Sequence, residues 1–63
     1  MTMYEMSKQI LQKVSFDKSL FRKELLKAAK WLRQEERMLL YAWCLSYFGS
    51  EYHTIVREVF NSI

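Results

Sequence analysis

From Met38 to Phe48 the chain reads MLLYAWCLSYF, eleven residues of which only Ser46 is polar. A helix through this run has no polar face, and a helix that is apolar all round has to be surrounded by other elements. The remaining segments are therefore read as what surrounds it. At eleven residues the run is well short of the roughly 20 needed to span a bilayer, so a soluble protein is expected.

The surrounding material is limited. A chain of 63 residues is expected to form one domain, 1–63, of a size that buries only about 60% of the surface of its unfolded chain. Yet 51% of the residues are hydrophobic and 16% aromatic, more apolar material than a few short helices easily hide. A self-association surface is the first expectation from that imbalance.

Helix signals punctuate the rest. Thr2 followed by Glu5 is a capping-box pattern, and Met3, Met6, Ile10, Leu11 and Val14 recur on one side of a helix over about 3–14, with Tyr4 at the edge. Asp17 is a good N-cap for a second helix over 18–32, and Phe16 with Phe21 has the spacing of a hydrophobic staple. Leu20, Phe21, Leu25, Ala28, Ala29, Trp31 and Leu32 make its apolar arc, while Lys23, Lys27 and Lys30 form a ridge opposite.

The junction at residues 33–36 holds no Gly, Pro or side-chain cap. Charge predicts a break there: Lys30 and Arg33 suit the negative end of a closing helix, and Glu35 and Glu36 the positive end of an opening one. An unbroken helix to Phe48 would measure about 46 Å at 1.5 Å per residue, too long for so small a globule. A third helix is expected over 35–48, closed by Gly49 in a left-handed conformation, with Ser50 as the next N-cap. The fourth, 51–62, carries Tyr52, Ile55, Val56, Val59, Phe60 and Ile63 as its stripe. The expected fold is all-α, a compact four-helix domain packed irregularly or orthogonally around the third helix, with Leu39, Trp43 and at least one of Leu40 and Cys44 buried.

No constellation of residues points to catalysis. Cys44 and His53 are the only thiol and the only imidazole, and a structural zinc site needs about four ligands. They read as a small core residue and a helix flank, although a nucleophile and its base is the chemical alternative. Glu35 and Glu36 are adjacent, so on a helix they diverge by about 100° and do not converge on one bond. One glycine cannot build a phosphate-cradling loop. No enzyme activity, cofactor, metal or small-molecule substrate is expected.

Binding readings remain. The perimeter of the third helix, Tyr41, Cys44, Leu45 and Phe48, is expected to form an exposed patch that pairs with a second copy or with another protein. Lys23, Lys27 and Lys30 are candidates for contact with an anion, in a chain of net charge +3. The alternative is a nucleic-acid binder that uses this ridge, or a helix-turn-helix formed by the third and fourth helices around Gly49. Glu51 and Glu58 weigh against the second device, because carboxylates repel phosphate. A single cysteine and no secretory leader pattern predict a cytoplasmic protein.

Overall fold

A computed structural model describes residues 2–62 of the chain. Its helices are α1 (Met3–Lys13), α2 (Lys18–Trp31), α3 (Gln34–Tyr47) and α4 (His53–Asn61), the last entered through one 3-10 turn, Ser50–Tyr52. No strand occurs among the described residues, and the fold is the expected all-α four-helix domain.

Local chemistry places the first two helix starts. The Glu5 carboxylate accepts from the Thr2 N–H at 3.1 Å, and the Glu5 N–H donates to Thr2 Oγ1 at 3.1 Å, which satisfies two otherwise orphaned amides. Asp17 Oδ1 accepts from the Ser19 and Leu20 N–H groups at 3.0 and 3.2 Å. The expected staple beside it does not form. Phe16 stands 82% exposed while Phe21 is fully buried, because the turn at residues 14–16 carries Phe16 away from the face that Phe21 fills.

The chain breaks at Leu32 and Arg33, both extended, with ψ of 152° and 163°. Leu32 is buried and anchors the joint in the core, and the Glu36 carboxylate accepts from the Arg33 N–H at 3.4 Å. The largest dimension of the molecule, 25 Å, has no room for the continuous helix. A matching pair of extended residues, Phe48 and Gly49, separates α3 from the 3-10 turn. Gly49 is not left-handed: its φ is −69°. Ser50 accordingly lies inside the 3-10 turn instead of capping α4, and the Tyr52 hydroxyl donates to the Ser15 carbonyl, tying this turn to the α1–α2 connection.

Packing runs in a ring, α1 on α2, α2 on α4, α4 on α3 and α3 on α1. Each helix contributes to one apolar cluster: Leu11 from α1, Phe21, Leu25 and Ala29 from α2, Leu40 and Cys44 from α3, and Val56 and Val59 from α4. Phe48 adds the centre of an aromatic group, with its ring 4.9 Å from Phe21, 5.3 Å from Tyr52 and 5.4 Å from Trp43. Ile63, expected on the α4 stripe, lies outside the described residues.

Two faces differ from expectation. In α1 the inward side is Tyr4, Ser7, Leu11 and Val14, so Met3, Met6 and Ile10 sit at a partly open edge. Ser7 occupies an interior position because its hydroxyl donates to the Met3 carbonyl at 2.8 Å and leaves no unsatisfied group. In α3 the phase is inverted. Leu40 and Cys44 are buried, Trp43 is half-buried, and Leu39 faces solvent.

Candidate functional site

The inversion of α3 relocates the interface residues expected from the sequence. Cys44 and Phe48 belong to the core. Tyr41 is half-buried against Phe60, with ring centroids 5.2 Å apart, and Leu45 is half-buried with its carbonyl accepting from His53 Nε2 at 3.0 Å. None of the four is an exposed patch residue. The physical reason is that α4 and the Phe48 aromatic group cover this side, and the hydrophobicity of an apolar run does not specify which side they cover.

What faces outward is the opposite arc. At about 100° per residue, Glu35, Met38, Leu39, Ala42 and Ser46 fall within little more than a quarter-turn, and all five are exposed. Met38 is 65% and Leu39 56% exposed, with Tyr47 at 58% on the flank, stacked at 4.9 Å on the half-buried Trp43. Lys8 from α1 lies 5.9 Å from the Trp43 ring and 4.6 Å from that of Tyr4, within cation–π range of both. The sequence did carry a marker of this face. Ser46, the one polar residue of the run, and Glu35 both lie on it.

A second apolar feature lies between α1 and α2. Met3, Ser7 and Ile10 form one wall of an open groove of about 180 Å³, and Ala28 and Trp31 form the other, with Glu24 and Lys27 at the rim. Trp31 is 71% exposed, although its position at the edge of the α2 arc predicted burial. Trp31 ends α2 and Met3 starts α1, and both stand at the groove. Sequence periodicity did not reveal the groove, because it depends on the distance between two helices.

The α2 ridge is as expected in placement. Lys23, Lys27 and Lys30 are exposed. Lys27 Nζ lies 3.5 Å from Glu24 Oε1, and among the described residues Lys23 and Lys30 have no acidic partner. On α4, Thr54 and Arg57 are exposed, and Glu58 is held by Arg22 at 2.6 Å.

The thiol and the imidazole are not arranged as a pair. Burial pushes the Cys44 thiol up from 9.0 to about 12, so it stays protonated at neutral pH, and thiols react as thiolates. His53 Nε2 meets a carbonyl oxygen, which requires that nitrogen to carry the proton. No group of three or more His, Cys, Asp or Glu side chains suited to a metal ion occurs among the described residues, and no helix there is long and apolar enough to cross a membrane. Comparison of the chain with protein-family models, with curated proteins and with solved structures returned no match.

Proposed function

We propose that this protein is a small helical interaction module that acts by contact, not catalysis, and self-associates through the outward face of α3. The observation that carries the reading is the exposure of Met38 and Leu39 on the same arc as Ala42. A helix on the surface of a domain normally turns charged and polar residues outward, and this one turns out two large apolar side chains with a small residue between them. Two copies of the face meeting about a two-fold axis would bury all of these at once. A lone free cysteine, Cys44, supports a cytoplasmic setting.

Light scattering or sedimentation at tens of micromolar is the test. A dimer of the 7.7 kDa chain is expected, and Leu39→Glu or Met38→Glu should convert it to a folded monomer. The inward-facing Leu45→Glu should instead lose helical structure. A wild-type mass of one chain overturns the self-association reading.

A second reading, nucleic-acid binding, is favoured by Lys23 and Lys30, which are exposed and have no acidic partner among the described residues. Its test is binding to duplex and single-stranded nucleic acid at about 50 mM salt, where phosphate contacts are strongest. Binding there that is lost in Lys23→Glu with Lys27→Glu supports it, and no binding removes it.

A further inference from the structure

Charge is divided along this chain. The first 33 residues hold eight of the ten basic residues and three of the seven acidic ones, a formal +5, and the remaining 30 hold two basic and four acidic, a formal −2. The groove between α1 and α2 lies wholly in the positive part. Lys23 and Lys30 are four before and three after the rim residue Lys27, and so continue its row along one flank. The one carboxylate at the rim, Glu24, is already engaged by Lys27. An apolar floor beside a cationic flank results.

The shape narrows what fits. At about 180 Å³ the groove is smaller than the roughly 300–1,000 Å³ that holds a drug-sized ligand, but it is open along its length and suits one or two side chains from a longer partner. A membrane surface would be met by protruding apolar groups, whereas Met3, Ile10 and Ala28 line a concavity. Methionine side chains adapt to irregular partners, and the exposed Trp31 forms a rigid aromatic wall.

We infer that the α1–α2 groove docks an acidic amphipathic helix of another protein, with apolar residues at i and i+3 or i+4 entering the groove and carboxylates lying against Lys23, Lys27 and Lys30. This site deepens the interaction-module reading but is separate from the α3 face, so it is tested in the Leu39→Glu background as well as in the wild type. Loss of self-association there leaves groove binding untouched.

The probe is a synthetic helical peptide of about 18 residues with a Leu and Phe stripe and Glu elsewhere, titrated by calorimetry. Its control has Lys in place of Glu. Saturable binding of the acidic peptide is expected, weakened at least about tenfold by Trp31→Ala, the scale of a central aromatic anchor. It should fall as steeply in Lys23→Glu with Lys30→Glu, and on raising salt from about 50 to 300 mM. Both variants alter exposed side chains, and circular dichroism should show the fold kept. Equal binding of the Lys-flanked control overturns the inference, as does Trp31→Ala within about twofold of the parent or no binding at several hundred micromolar. So does tighter binding to vesicles of anionic phospholipid than to the peptide, which would assign the face to a membrane.

Discussion

The rings of Phe21 and Phe48 meet edge to face, with centroids 4.9 Å apart and planes at 80°. Phe21 belongs to α2, and Phe48 is the residue on which α3 ends, so the pair joins two helices across the middle of the packing ring. Truncating either ring to Ala should cost about 3 to 5 kcal/mol, most of the stability of a domain this small. Urea denaturation of the two single variants and the double variant should show that the losses do not add, since the residues are in direct contact.

Leu39 and Leu40 are neighbours in sequence with opposite surroundings. Leu40→Ala removes a fully buried side chain and should cost about 2 to 5 kcal/mol. Leu39→Ala should change the stability of the monomer by no more than about 0.5 kcal/mol. Chemical denaturation at a concentration low enough to exclude assembly distinguishes them, and equal losses would contradict the observed phase of α3.

Gly49 is extended, and a Cβ built on it meets nothing nearer than a Glu51 carboxylate oxygen at 4.0 Å. Gly49→Ser should therefore raise stability by about 0.5 to 1 kcal/mol, by restricting the unfolded chain and offering a hydroxyl to the following amides. A left-handed glycine would give the opposite sign. Thermal melting decides.

Cys44 gives the fold a weakness in alkali. Its thiol titrates near 9.0 in the unfolded chain and at about 12 in the folded one, so above pH 9 the unfolded state has bound fewer protons and stability falls as pH rises. The contribution is fully present below pH 9 and is lost toward pH 12, at up to about 1.4 kcal/mol per pH unit. Cys44→Ala should be less stable at pH 7 yet show a shallower loss between pH 9 and 11. The native thiol should also resist a disulfide reagent until the protein unfolds.

Helix limits were legible in the sequence wherever a side chain fixes them. Thr2 with Glu5 and Asp17 start their helices as read, and the charge change from Arg33 to Glu35 marked a joint with no glycine or proline. The phase of α3 was not legible from hydrophobicity, since an apolar run has no contrast to read. Phe16 and Gly49 misled for a related reason: both fit a local motif, but the connecting turns took other conformations. Of the candidate surfaces, the lysine ridge was legible because its period matches the helix. The α1–α2 groove was not, because it arises between two segments.

The two tryptophans stand in unlike surroundings, Trp31 largely in water at the lip of the groove and Trp43 partly enclosed beside Lys8 and Phe48. The molecule thus carries two optical reporters with separable emission. With Trp31→Phe the remaining fluorescence follows unfolding of the aromatic core, and with Trp43→Phe it follows the arrival of anything that displaces water from the groove.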